Sequence, residues 1–330
     1  MEAAGVMNEI PVGNIRGVCD YGDERKNKDW QPYAAVMAAT YAKAVLREIP
    51  PKSVGSIVFT DEDKACLRDL LVTDPEAERR RIEATKGGLL HDSFRWVLEN
   101  AEFRKWHSSS QSQLLWIKGD PGKGKTMLMI GIIDELLLQV QSQPSRSIAY
   151  FLCQAAYPKL NNATSILRSV IYMLVQQQPH LISRLRQRYD INPNLFENAN
   201  AFYSLSAIFE NMIHDSTQAT IYLLVDALDE CETGLSDLLK LIARTKFISA
   251  AQVKWIVSSR NRDEIEQELE FGTEEVSLSL ELNGSHISDA VAAFIDDRVS
   301  RMKALQRNGA LLKQVKEQLL QKSDGTFLDV

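Results

Sequence analysis

The chain has 330 residues, 45% of them hydrophobic and 25% charged, with 44 acidic against 38 basic side chains and a net charge of -6. That length suggests about two domains of a globular protein, and the acidic balance excludes a dedicated nucleic-acid binder. No apolar run is long enough to span a membrane, and no basic-then-apolar leader opens the chain, so a cytoplasmic protein without a membrane partner is expected. Cys19, Cys66, Cys153 and Cys231 are isolated, which argues against a zinc site or a disulfide framework.

Residues 12–20 read as a short strand, and the Ala-rich stretch 33–47 as a helix stopped by Pro50 and Pro51. One strand and one helix cannot bury a core, so residues 1–50 form an incomplete unit. Residues 51–75 read as a linker carrying a short helix over 61–71. Arg79, Arg80 and Arg81 alternate with Glu76, Glu78 and Glu83, the pattern of a solvated helix face. Lys86-Gly87-Gly88 breaks that helix. Phe94, Val97, Leu98, Phe103 and Trp106 then recur at helical spacing across 89–106.

The chemistry concentrates at residues 114–131. The apolar run Leu114-Leu115-Trp116-Ile117 stops at Gly119-Asp120-Pro121-Gly122-Lys123-Gly124-Lys125-Thr126-Met127, with a helix expected from near Lys125 to about Leu138. This is a complete G-x-x-x-x-G-K-[ST] phosphate loop between a strand and a helix. Glycines let backbone N–H groups converge on a polyphosphate, and the helix start adds its positive end. Lys125 is placed to reach the β and γ phosphates, and the Thr126 hydroxyl to ligate Mg²⁺.

A second strand is expected over 147–153, then helices over 163–177 (opened by Asn162), up to Tyr189, and over 204–214. The continuous apolar run 221–225 reads as a strand covered on both faces, tipped by Asp226 and followed by Asp229 and Glu230. An acid at such a tip is the Walker B arrangement, which sets a carboxylate beside the Mg²⁺ of the phosphate loop. Asp229 or Glu230 can orient the attacking water, and the spacing does not choose between them; both can equally cap the helix expected at 235–243. The strand 253–258 ends at Ser259-Arg260. Arg260 can reach a γ phosphate or pair with Asp263 or Glu264. An outer strand over 275–281, a helix over 287–307 capped by Ser285, and a helix over 310–321 complete the order. The expectation is an α/β fold with a mostly parallel five-stranded sheet, of the additional-strand type of P-loop NTPase. No N-K-x-D guanine reader is present, which favours ATP.

Five segments carry a resemblance: 81–100, 116–129, 151–175, 221–231 and 254–261. Together they resemble the NACHT NTPase domain of fungal NOD-like receptors, the STAND class with a nephrocystin-3-like N-terminal region, over about residues 75–330. The resemblance implies a NACHT domain at 76–330, with its core at 112–282 and C-terminal helices at 283–330. It implies ATP and ADP as ligands, Mg²⁺, nucleotide-driven self-association and slow hydrolysis. It assigns Lys125 and Thr126 to phosphate and Mg²⁺, Asp226 to Mg²⁺ and Arg260 to γ-phosphate sensing, and sets Lys86-Gly87-Gly88 near adenine. Asn261 stands where the family often has proline, and Ala227 where it often has glycine. The family's winged-helix and repeat regions have no counterpart in these residues. Residues 16–30 and the Ala-rich helix resemble the end of a nucleoside phosphorylase domain, with Asp20 at its purine-contacting aspartate; without the rest of that site, Asp20 reads as a turn cap. Two functions follow: a slow ATP-hydrolysing switch in self/non-self recognition, or a nucleotide-holding scaffold that signals by assembly alone.

Overall fold

A computed structural model describes residues 30–48, 59–245, 247–248, 251–269, 276–302, 306 and 309–327. The expected strand at 12–20, Cys19 and Asp20 lie outside the described residues. Residues Met1–Val58 and Phe59–Val330 form two compact units. The first contributes α1 (Gln31–Glu48), the Ala-rich helix, with Tyr33, Val36, Met37 and Tyr41 exposed.

The second unit holds five parallel strands, β1 (Gln113–Lys118), β2 (Arg146–Leu152), β3 (Thr220–Asp226), β4 (Gln252–Ser259) and β5 (Val276–Ser279), in the order β2-β3-β4-β1-β5. Alternate side chains point to opposite faces of a strand, and the sequence supplies apolar groups at both sets. Leu114, Trp116, Phe151, Leu223 and Trp255 join one core; Leu115, Ile117, Tyr150, Tyr222 and Ile256 join the other. Helices α7 (Ala163–Gln177), α9 (Ala201–Asp215) and α10 (Leu235–Thr245) bury their apolar stripes in the first core. Helices α4 (His91–Glu99), α5 (Ala101–Ser108), α6 (Lys125–Ser142) and α12 (Gly284–Arg301) bury theirs in the second. Helices α8 (Ile182–Tyr189) and α11 (Asp263–Leu269) add Leu185 and Ile265 to the first core, and α13 (Gly309–Ser323) packs Leu312, Val315 and Leu319 against the second.

Strand β4 lies between the phosphate-loop strand and the Walker B strand, as the additional-strand reading requires. Two strand spacings, about 9–10 Å, therefore separate the tips of β1 and β3. Because all five strands are parallel, their C-terminal tips share one edge, where ligands of open α/β sheets bind.

The structure corrects several boundaries. The stretch 59–75 is no free linker: α2 (Asp61–Leu70) is closed by a Thr60–Asp63 capping box and sinks Cys66, Leu67 and Leu70 into the first core. The charged helix α3 (Pro75–Thr85) is not wholly solvated, since Arg79 is largely buried and pairs with Asp134 on α6. The expected helix 89–106 is two helices, broken where the Asn100 side chain accepts the Glu102 N–H and starts α5. Ser285 does not cap α12, which begins one residue earlier and ends at Arg301. Lys254, inside an otherwise apolar strand, is 1% exposed. Its ammonium donates to the carbonyls of Trp106, His107 and Ser109, the unsatisfied C-terminal end of α5. Cys66, Cys153 and Cys231 are free and buried.

Candidate nucleotide-binding site

The loop after β1 is anchored on both flanks by the sheet. Gly119 N–H donates to Ser259 O at 3.2 Å, and Leu280 N–H to Lys118 O at 2.9 Å. A Cβ on Gly119 would lie 2.9 Å from Leu280 Cβ, so only glycine fits this close approach. Gly122 (φ 77°) and Gly124 (φ 78°) take left-handed conformations that turn the chain into α6. The first backbone bond of α6 runs from Leu128 N–H to Gly124 O. The N–H groups of Lys125, Thr126 and Met127 precede it, at the positive end of the helix. Lys125 Nζ donates to the carbonyls of Gly119 and Asp120. Burial lowers its pKa, against the opposing pull of Asp229 and Asp226.

Asp226, at the tip of β3, is 1% exposed. Burial raises its pKa; hydrogen bonds from the Ser258 and Thr126 hydroxyls act in the other direction. Ala227 N–H donates to the same Ser258 Oγ at 2.9 Å, so one serine on β4 fixes both residues. Ala227 itself is left-handed (φ 58°, ψ 52°), which gives the physical reason for glycine at this position in the resembling family. It turns the chain into the short 3₁₀ segment Leu228–Glu230.

There the two candidate acids part. Both oxygens of Asp229 are engaged by Arg260, through its backbone N–H at 3.1 Å and its Nε at 3.0 Å. The ion pair expected with Asp263 or Glu264 is made with Asp229 instead, whose side chain is 4% exposed. Glu230 accepts the Ala155 N–H at 2.9 Å and steadies the turn after β2. Neither acid caps α10.

Lys125, Thr126, Asp226, Asp229, Glu230 and Arg260 all line one cleft of about 600 Å³, together with Pro121, Gly122, Lys123, Gly124 and Met127. Lys86 and Gly88 line the cleft as well, and so do Phe294, Arg298, Met302 and Phe327, which no motif singles out. The Arg298 guanidinium lies over the Phe294 ring at 5.0 Å. Glu281 was missed as well. Its Oε1 accepts the Asp120 N–H at 2.6 Å, and Ser279 Oγ donates to its Oε2. Burial alone would raise the Glu281 pKa, but these bonds hold it below its usual range. Its one available signal was its place at the tip of the outer parallel strand.

Hard oxygen donors from Thr126 and Asp226, facing a lysine and helix N–H groups, suit a Mg²⁺-bound polyphosphate. Among the described residues no group of three or more His, Cys, Asp or Glu side chains could hold a metal by itself. A Mg²⁺ held there would take its remaining ligands from phosphate oxygens and water. No described helix is long and apolar enough to cross a membrane.

Residues 92–260, about half of the chain, match the family described as Nephrocystin 3, N-terminal. The chain belongs to the nephrocystin-3 N-terminal family. It is 48% identical over 269 residues to the vegetative incompatibility protein HET-E-1 of Podospora anserina, a match covering 81% of this chain and 20% of that protein. It is 54% identical over 54 residues to a nucleotide-binding leucine-rich-repeat-like protein of Hyaloscypha variabilis, covering 16% of this chain and 6% of that one. The chain thus spans about a fifth of the length of HET-E-1. These matches agree with the fungal NACHT-type resemblance of this nephrocystin-3 N-terminal region. Among solved structures, the Aeropyrum pernix ORC2 protein in its ADP form aligns with a TM-score of 0.37 at 15% identity, over 60% of this chain and 49% of that one. A Drosophila ORC bound to DNA aligns with a TM-score of 0.36 at 15% identity, over 78% and 58%.

Proposed function

We propose that this chain is a Mg²⁺-dependent ATP-binding switch module with slow hydrolysis, working in fungal self/non-self recognition through self-association or other signalling proteins. The observation that carries the reading is the meeting of Lys125, Thr126 and Asp226 in one cleft at the strand tips, around the first turn of α6. The loop N–H groups of residues 122–127 bind the phosphates. Lys125 leaves its loop carbonyls for the β and γ oxygens, and Thr126 and Asp226 hold Mg²⁺, which offsets phosphate charge when bound. The self/non-self reading is supported by the similarity to HET-E-1, a vegetative incompatibility protein.

The contacts support a division of labour between the two acids. Asp229 is occupied by Arg260 and serves to hold that arginine at the cleft. Glu230 uses Oε2 for Ala155 and is the acid that orients water. The second reading, nucleotide binding without turnover, draws on the same pair: while Arg260 is neutralised by Asp229, its charge is not offered to a γ phosphate.

Extraction of bound nucleotide, followed by Mg²⁺-ATP turnover assays, tests both readings. The switch predicts bound ADP or ATP and slow turnover, abolished in Lys125→Ala and Glu230→Gln. Stoichiometric nucleotide binding retained by Lys125→Ala sinks the site assignment. Binding without turnover in the wild type selects the scaffold.

A further inference from the structure

The phosphate loop carries two lysines, and they point to different partners. Lys125 Nζ turns back on the loop's own carbonyls and feels Asp229 and Asp226. Lys123 Nζ instead donates to Gly325 O at 3.1 Å, 202 residues away. That carbonyl belongs to a tight turn just after α13, closed by the Thr326 N–H to Ser323 O bond at 2.8 Å. Asp324 (φ 44°) and Gly325 (φ 65°) are both left-handed there. A second bond runs beside the first, from Phe327 N–H to Gly122 O at 2.8 Å. The Phe327 ring lies against Gly124, where a Cβ would approach it to 2.8 Å, and meets Phe294 of α12 edge-on at 5.6 Å.

Residues 122–124 are thus held at every position from one turn: Gly122 through its carbonyl, Lys123 through its ammonium, Gly124 through the covering ring. The two glycines make this stretch the most permissive part of the loop. An unrestrained loop has to be ordered by its ligand, which costs affinity. We infer that Lys123 is a positioning residue that ties the phosphate loop to the 323–327 turn, and that it does not ligate phosphate. Phe327 of the turn also lines the cleft of about 600 Å³, so the tether sits at the edge of the site whose loop it organises. Through it, nucleotide affinity is linked to the seating of α12 and α13.

The affinity test rests on the nucleotide-site reading above; a second measurement does not. With fluorescent ADP and Mg²⁺-ATP as probes, Lys123→Met is expected to weaken both equally, by about tenfold for one charge-assisted tether. Lys123→Arg, which keeps a cationic donor, restores most of the loss. Phe327→Pro removes both the neighbouring N–H donor and the ring over Gly124, and weakens both nucleotides too. The double variant falls clearly short of the product of the two single effects, because the bonds act as one tether. Selective loss of ATP with ADP unchanged would make Lys123 a γ-phosphate ligand and overturn the inference, as would independent, multiplicative effects. Hydrogen exchange of the amides at 122–125 in ligand-free protein should speed up in Lys123→Met and return in Lys123→Arg. If the wild type binds no nucleotide, the site reading fails and exchange alone decides the tether. If the wild type binds through Lys125 but neither affinity nor exchange responds to Lys123→Met, the tether fails alone.

Discussion

Asp226→Asn should stabilise the ligand-free protein while removing its Mg²⁺ response. A carboxylate taken out of water carries a penalty of several kcal/mol even after relaxation. Asp226 is 1% exposed, and its compensation comes from the Ser258 and Thr126 hydroxyls. Hydrogen bonds to a charged acceptor contribute about 1.5–3 kcal/mol each, against about 1 kcal/mol for a neutral one. Exchanging the carboxylate for an isosteric amide thus relieves the ionisation cost and weakens two bonds, for a net gain of about 1–3 kcal/mol. At roughly 2–3 °C per kcal/mol for a unit of this size, the melting midpoint should rise by about 2–9 °C.

The pH dependence has a definite sign. The folded pKa lies above the ordinary 3.8, so between those two values the native state holds more protons than the unfolded state. Wild-type stability from this group falls as pH rises through that window and then levels off. The advantage of Asp226→Asn therefore grows with pH and reaches a plateau. The assay is thermal unfolding in EDTA at a series of pH values, beside nucleotide titrations with and without Mg²⁺. A variant that melts at or below wild type on the plateau, or whose advantage ignores pH, would refute the account of Asp226 as a strained metal ligand held ready for use.

Ala227 sits in a left-handed conformation costing a non-glycine residue about 1–2 kcal/mol, so Ala227→Gly should be neutral to about 1 kcal/mol stabilising, while β-branched Ala227→Val loses about 1–3 kcal/mol in chemical denaturation. Gly131→Ala gains about 1 kcal/mol of helix propensity, but its Cβ would fall 2.3 Å from Phe94 Cγ. Overpacking of about 1–3 kcal/mol should win there, and adding Phe94→Leu should recover much of the loss in the same assay. Burial brings the Lys254 pKa down to about 8 from 10.5, with Arg146 adding to the effect. The unfolded state thus binds more protons across that interval, and stability should rise with pH from about 8 to 10.5. Lys254→Met abolishes that rise and, by stranding the Trp106 and His107 carbonyls while Ser109 keeps its bond from Gln252, should cost about 2–4 kcal/mol.

The sequence by itself determined the strand, phosphate loop and helix from about Leu114 to Leu138, the acid at Asp226, the arginine at 260 and the order of alternating elements. Those signals are local. A glycine spacing, an apolar run or a capping residue such as Asn162 works within a few residues of itself, so a window of the chain contains the whole cause. What each side chain touches at the cleft was decided by the tertiary structure alone. Asp229 and Glu230 are adjacent in sequence and chemically alike; only the partners Arg260 and Ala155, brought in by β4 and by the turn after β2, separate their contacts. Glu281 reaches Asp120 across 161 residues because β5 pairs in parallel with β1 and their tips come level. Gly325 and Phe327 reach Lys123 and Gly122 because α12 and α13 pack back over the second core. No periodicity encodes such pairings. They follow from strand order and helix packing, which bring tips and turns hundreds of residues apart to one edge of the sheet.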